Sequence, residues 1–205
     1  MRVLVIGGTG LISTAIVEQL LARGDEVTIF NRGVSERRFA GDVRTLVGDR
    51  WDYPAFEAAL SGHSYDAAID MVAFHPDNAR SVVRALWCSA QHVVVCSTVC
   101  VYGCPLTRSA PADDEPHRFV TEYGRNKSAI ESILLENDGR LGTRATVLRP
   151  SFTTGEGATA SGVLFDDSTP ERIRQGLPVI VHGDGRTKWA VAHVSDVARG
   201  FVNSL

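Results

Sequence analysis

Short apolar runs rich in β-branched residues alternate along the chain with longer stretches whose apolar positions recur every three or four residues. Val3–Ile6, Glu26–Phe30, Arg44–Val47, Ala67–Met71, His92–Ser97 and Ala145–Leu148 carry the strand pattern. Leu11–Arg23, Tyr53–Ser61, Asn78–Cys88 and Tyr123–Glu136 lie between them and carry the helical one. Strands that are apolar almost throughout bury both faces, so this alternation predicts a parallel sheet with helices on either side, a doubly wound α/β fold. Asn31–Asp42, Pro105–Arg118 and Thr153–Thr169 are rich in Gly, Ser, Asp or Pro and read as the mobile loops. Past Pro170 the pattern changes to a short helix over Glu171–Gln175, a strand at Val179–Val181 and a Gly183-Asp184-Gly185 turn. A last helix, capped by Ser195, is expected to run to the end of the chain.

With 205 residues, 44% of them hydrophobic and 22% charged, the chain has the material for a sizeable core. The pattern divides it into residues 1–150 and a smaller region, 151–205. Lys and Arg number 21 against 24 Asp and Glu, a net charge of −3, which argues against a nucleic-acid partner. No apolar run approaches the roughly 20 residues that span a bilayer. The Val3–Ile6 run is too short for a signal segment, so a cytoplasmic protein without a membrane partner is expected. Cys96, Cys100 and Cys104 recur at a fixed interval, but no C-x-x-C or paired histidines complete a zinc site, so they read as small buried apolar residues and no metal is expected.

The first strand runs into Gly7-Gly8-Thr9-Gly10-Leu11-Ile12-Ser13, with Gly7 and Gly10 spaced as the first two glycines of a G-x-x-G-x-x-G turn. Glycine at these points lets the backbone turn sharply and approach a pyrophosphate, whose charge then sits at the N-terminus of the following helix. The second strand ends at Asn31, about 20 residues on, where such folds read the adenosine ribose. An acidic residue there would accept from the ribose 2′-hydroxyl and repel a 2′-phosphate; this chain has Asn31 and Arg32, with Arg37 and Arg38 behind them. That choice favours NADP and leaves NAD as the second option. Gly48-Asp49-Arg50 follows the third strand, where Asp49 either meets the adenine or caps the next turn.

The fifth strand leads into Ser97-Thr98-Val99-Cys100-Val101-Tyr102-Gly103, and Tyr123-Gly124-Arg125-Asn126-Lys127 follows later. Tyr123 and Lys127 are spaced i,i+4 and so share a helix face. A phenol titrates near about 10 in water and becomes a useful base only beside a cation, and a lysine ammonium or an oxidised nicotinamide is such a cation. Thr98 would hold the substrate oxygen while Tyr123 moves its proton. Only two lysines, Lys127 and Lys188, occur in the chain, and one stands where this chemistry needs it. His75 reads as a loop residue and His193, which precedes the helix cap, as structural, and the other histidines form no constellation.

The glycine turn, Thr98 with Val101-Tyr102-Gly103, Tyr123-Gly124-x-x-Lys127-x-x-x-Glu131, Leu148-Arg149-Pro150 and His193-Val194-Ser195-Asp196-Val197-Ala198 occur together in one order. In this the chain resembles the extended short-chain dehydrogenase/reductases, within them the NAD-dependent epimerase/dehydratase family. The resemblance covers essentially the whole chain and implies a Rossmann-type fold and action on a sugar or nucleotide sugar. It implies catalysis by Thr98, Tyr123 and Lys127. It implies a cofactor held by Gly7, Thr9, Gly10, Leu11, Ile12, Asn31, Arg32, Asp49, Arg50, Tyr123, Lys127 and Pro150. A homodimer through the Asn78–Cys88 and Tyr123–Glu136 helices is part of the same expectation. Several positions depart from the pattern. Ser13 replaces the third glycine, and Val99-Cys100 stands where sugar 4,6-dehydratases of the family carry Asp-Glu, so dehydration by that route is disfavoured. Phe152 stands for a common asparagine and Trp189 for an arginine that grips the diphosphate, with Arg186 and Lys188 near enough to substitute in part. An epimerase is therefore the first reading. A ketone or sugar reductase with the same trio is the second, and a non-catalytic dinucleotide-sensing or RNA-binding regulator the third. Family members continue beyond the His193–Ala198 segment, so 151–205 reads as a partial substrate region of a truncated or reduced enzyme.

Overall fold

A computed structural model describes residues 1–34, 38–103, 117–156, 168–181, 184–186 and 190–205. Six strands, β1 (Arg2–Ile6), β2 (Glu26–Asn31), β3 (Val43–Val47), β4 (Tyr65–Asp70), β5 (Ala90–Cys96) and β6 (Arg144–Leu148), form one sheet. Its order is β3-β2-β1-β4-β5-β6 and every neighbouring pair is parallel. The strand order reverses between β1 and β4, which opens a crevice at their carboxyl ends, the place where such sheets bind ligands. The predicted fold class is the one observed.

Successive side chains of a strand point to opposite faces, and the core divides accordingly. Leu4, Ile6, Val93 and Val95 pack on one face beneath α2 (Tyr53–Leu60), α3 (Pro76–Leu86) and α4 (Glu122–Leu135). Val3, Val5, Val94 and Cys96 pack on the other, beneath α1 (Leu11–Arg23), with Ala198, Phe201 and Val202 of the last helix. Asp52 accepts from the Ala55 N–H at 3.1 Å to start α2, and Thr121 accepts from the Gly124 N–H at 3.1 Å to start α4. Pro76 occupies the first turn of α3 behind an N-cap at His75, so that helix starts two residues before the expected Asn78 and ends at Leu86.

The region after β6 differs from expectation. β7 (Phe152–Thr154) pairs in parallel with β8 (Val191–His193), a two-stranded sheet the pattern did not predict, and its first strand runs into the expected Thr153–Thr169 loop. Val179–Val181 is not a strand; Ile180 and Val181 are exposed and have no neighbouring strand to complete a ladder among the described residues. α5 covers Thr169–Arg174 and α6 covers Val194–Asn203, so the last helix stops short of the chain end. Its N-cap is His193 and not Ser195, because the His193 ring accepts the Ser195 N–H at 3.3 Å. Parts of the three expected mobile loops, with Cys104, Arg37, His182 and Gly183, lie outside the described residues. No helix among the described residues is long and apolar enough to cross a membrane.

Candidate active site

A cleft of about 720 Å³ opens at the carboxyl ends of β1, β2, β3 and β4. Its floor is the glycine turn. Gly7 (φ +112°) and Gly8 (φ +73°) lie in the region that favours glycine. A Cβ on Gly8 would stand 2.7 Å from Ile29, and one on Gly7 would stand 3.1 Å from Val72. Gly10 is the N-cap of α1, and Ser13, at the third glycine position, accepts the Gly10 N–H on its hydroxyl at 2.9 Å. The departure at Ser13 thus closes the first turn of the helix and leaves the turn itself intact. Gly7, Thr9, Gly10, Leu11 and Ile12 all line the cleft. A closely approached backbone at a helix N-terminus, beneath a cleft of this volume, fits a dinucleotide pyrophosphate.

At one end of the cleft stand residues that follow β2 and β3. Asn31 accepts the Gly33 N–H on Oδ1 at 2.8 Å, and Arg32 is an exposed wall residue. Arg38 is exposed and is not among the lining residues. Asp49 lines the cleft and accepts the Trp51 N–H on Oδ1 at 2.9 Å, the contact of a residue that caps the next turn. Arg50 also lines the cleft but is held from within: its Nη2 donates to the Asn78 carbonyl at 2.6 Å and to Asp70 at 3.3 Å, and its guanidinium lies 4.0 Å from the Phe56 ring. Its Nε and Nη1 are buried without a hydrogen-bond partner in the protein.

At the other end are Tyr123 and Lys127, brought together by α4. The Lys127 side chain is buried, donates to the Cys96 carbonyl at 2.7 Å, and lies 5.8 Å from the centre of the Tyr123 ring. Phe74, which the sequence reading did not single out, covers the same ammonium at 4.8 Å. Burial lowers the Lys127 pKa, while Cys96, Asp70 and Glu131 hold it up. Burial raises the Tyr123 phenol, with the Cys96 thiol adding to it, and the Thr98 hydroxyl is close enough to pull the other way. Without a bound nicotinamide the net effect of these neighbours leaves the Tyr123 phenol above its ordinary value. The Cys96 thiol is pushed up to about 11 by burial and is a neutral wall residue.

Thr98 is buried at the carboxyl end of β5 and accepts the Cys100 N–H at 3.2 Å. The Pro150 carbonyl accepts the Val99 N–H at 3.1 Å, which ties the end of β6 to this turn. Thr98 and Pro150 border the chemical end without lining the cleft, and Phe152, in β7, and Arg186 do not line it either. Arg186 is exposed and pairs with Asp184 at 3.7 Å. Trp189 and Lys188 lie outside the described residues. His75 caps α3, and Cys100 is exposed, which corrects its reading as a buried apolar residue.

Behind Tyr123 and Lys127 lies a polar cluster whose members appeared in the sequence only as motif letters. Glu131, fully buried one turn beyond Lys127, accepts from the Ser97 hydroxyl and from Arg149 Nη2 at 2.6 Å and Nε at 3.0 Å. Arg149 also donates to the Tyr102 hydroxyl at 2.6 Å, and its charge is held by Glu131. The cluster joins α4 to the ends of β5 and β6, so the helix that carries Tyr123 and Lys127 is clamped next to Thr98.

Comparison with known proteins agrees with this geometry. The family model described as the NAD dependent epimerase/dehydratase family matches residues 3–205. The chain is 26% identical over 206 residues to the 2'-dehydrokanamycin reductase of Streptomyces kanamyceticus, covering 100% of this chain and 58% of that protein. It is also 26% identical over 221 residues to the chloroplast stem-loop binding protein of 41 kDa b of Arabidopsis thaliana, covering 100% of this chain and 55% of that protein. The chain thus spans little more than half the length of these curated relatives. The structure of the UDP-glucose 4-epimerase of Thermus thermophilus, solved in complex with NAD, has a TM-score of 0.79 at 24% identity over 100% of this chain and 74% of that one. That likeness is one of fold.

Proposed function

The chain belongs to the NAD-dependent epimerase/dehydratase family, and from that premise we propose that it is an NAD(P)-dependent enzyme that epimerises a sugar or nucleotide sugar through a transient keto intermediate. The observation that carries this reading is the pairing of Tyr123 with a buried Lys127 at one end of a dinucleotide-sized cleft whose floor is the glycine turn. Tyr123 accepts the carbinol proton, Thr98 orients the substrate oxygen, and Lys127 supplies the positive charge that favours phenolate. When bound, the nicotinamide supplies the hydride chemistry and leaves the cycle in its starting redox state. Tyr123 then returns the proton once the carbonyl has been reduced from its other face. Residues 1–150 are assigned to the dinucleotide and 151–205 to part of the substrate region.

We assign NADP in preference to NAD, because Arg32 lines the cleft just after β2 and no carboxylate occupies position 31. A lower dissociation constant for NADH than for NADPH would reverse that assignment. A cytoplasmic homodimer through α3 and α4 belongs to the same reading. A ketone or sugar reductase is the second reading, supported by the name of the Streptomyces relative. It consumes NADPH with a net loss of nicotinamide absorbance, which an epimerase does not. A non-catalytic RNA-binding role takes its support from the name of the Arabidopsis relative; the assembled Tyr123–Lys127 pair and the net charge of −3 weigh against it.

The test is Tyr123→Phe, assayed for interconversion of UDP-glucose and UDP-galactose, then of other nucleotide sugars, with NADPH and NADH titrations alongside. Loss of the proton-transfer group lowers turnover by about a hundredfold or more and leaves dinucleotide affinity nearly intact. Unchanged turnover in Tyr123→Phe refutes the assignment of the site.

A further inference from the structure

We propose that Trp51 stacks on the adenine base and forms the main apolar wall of the adenosine end of the cleft. This rests on the dinucleotide reading above and adds to it a residue outside the glycine turn and the catalytic pair. The direction of the ligand follows from the two ends of the cleft. Tyr123 and Lys127 occupy the chemical end, so the adenosine falls among Arg32, Val34, Asp49 and Trp51, which follow β2 and β3. Among these, Trp51 is the aromatic group, and its residue is 56% exposed although indole is a large apolar surface. No aromatic ring among the described residues is paired with it.

The neighbours of Trp51 fix the turn that presents it to the cleft. Asp49 takes the Trp51 N–H on Oδ1 at 2.9 Å, which fixes the turn from which the indole projects and occupies part of the carboxylate. Arg50, the adjacent residue with the greatest polar capacity, is held from within by Asp70 and the Asn78 carbonyl. Beside the polar side chains of Arg32 and Asp49, the Trp51 indole offers a purine the flat apolar face at this wall. A tryptophan suits it, since stacking on a base depends on flat apolar area and not on the pattern of donors at the base edge.

Titration with ADP-ribose, which carries the adenosine end, and with nicotinamide mononucleotide, which carries the other, separates the two halves of the cleft. Calorimetry on Trp51→Ala is expected to show a loss of ADP-ribose affinity of about ten- to a hundredfold, with nicotinamide mononucleotide affinity unchanged. Trp51→Phe, which keeps an aromatic face, restores most of the affinity. In the wild type, ADP-ribose changes the tryptophan emission, and in Trp51→Phe that change is lost while Trp87 and Trp189 still emit. Equal ADP-ribose affinity in wild type and Trp51→Ala overturns the proposal and leaves the dinucleotide reading standing. A wild type that binds neither NADPH, NADH nor ADP-ribose overturns the dinucleotide reading itself. Parallel loss of both half-ligands in Trp51→Ala reports a collapsed cleft and overturns the stacking account, while retention of nicotinamide mononucleotide binding supports it.

Discussion

Replacing Glu131 by glutamine keeps the volume of the side chain and removes the charge that joins α4 to the ends of β5 and β6. The Glu131 side chain is 1% exposed and that of Arg149 is 18% exposed. In the folded protein the carboxylate accepts from Ser97 and from two nitrogens of Arg149, Nε and Nη2. A glutamine offers one acceptor and turns an N–H₂ group toward either the guanidinium or the serine. Removing one partner of a buried ion pair costs about 3–5 kcal/mol, mostly because the other charge is stranded. Arg149 reaches some solvent and keeps its bond to Tyr102, so the lower figure, about 3 kcal/mol, applies here. For a domain of this size each kcal/mol moves the midpoint by about 2–4 °C, so thermal unfolding should fall by about 6–12 °C. Urea unfolding with an unchanged slope is the second measurement. Glu171→Gln is the control. That residue pairs with Arg174 in an exposed i,i+3 bridge, with side chains 53% and 69% exposed, and its loss should cost less than about 0.5 kcal/mol. If Glu131→Gln is as mild as Glu171→Gln, the clamp is not what holds α4 in place and the account fails.

The parts of this molecule that were legible in the sequence are those whose partners lie close by or on both sides. Val93-Val94-Val95 is buried on both faces of the sheet, so an unbroken apolar run sufficed to place β5. The spacing of Tyr123 and Lys127 was legible for a different reason: a helix puts i and i+4 together whatever packs around it. β7 and β8 are three residues each and pair across most of the 151–205 region, so neither run was long enough to show a pattern. Val179–Val181 had the composition of a strand without a partner among the described residues, and composition alone does not form a ladder. Ser195 is a good cap by type, but the neighbouring His193 ring reaches the Ser195 N–H and takes the role. Arg50 shows the limit most directly. The resemblance implies a place at the cofactor, and the residue does line the cleft; what the sequence did not show is that the sheet order sets Asp70 and the start of α3 against it, so that Nη2 is held from inside the protein. Phe74 over Lys127 was invisible for the same reason, since the contact joins the loop after β4 to α4.

Two further substitutions test the frame around the cleft. Gly8→Ala puts a Cβ 2.7 Å from Ile29, a β-branched residue of β2 that is 3% exposed, and also forces a left-handed backbone. Gly24→Ala has the same backbone problem (φ +86°) with nothing within 4 Å. In urea unfolding Gly24→Ala should lose about 1–2 kcal/mol, and Gly8→Ala a further 1–3 kcal/mol or so, roughly the cost of overpacking, together with ADP-ribose affinity. Equal losses in the two variants would mean that the turn does not need its close approach to Ile29. The second substitution is Asp25→Asn, at the start of the sheet. Asp25 is held by the Met1 ammonium at 2.8 Å and by Arg23 at 2.6 Å. Burial is the largest single influence on its carboxyl and pushes the pKa up, but the two cations together outweigh it and the net shift is downward. A carboxyl with a folded pKa below its unfolded value of about 3.9 binds more protons when unfolded, so stability rises with pH through that interval. The contribution of Asp25 is therefore complete above about pH 4 and is lost as the pH falls through the depressed folded value. Asp25→Asn should be less stable than wild type by about 2 kcal/mol at about pH 7, and the gap should narrow steadily on acidification below about pH 4. A gap that stays constant from about pH 7 to about pH 3 refutes the ionic origin of the effect and leaves only the packing of the side chain to account for it.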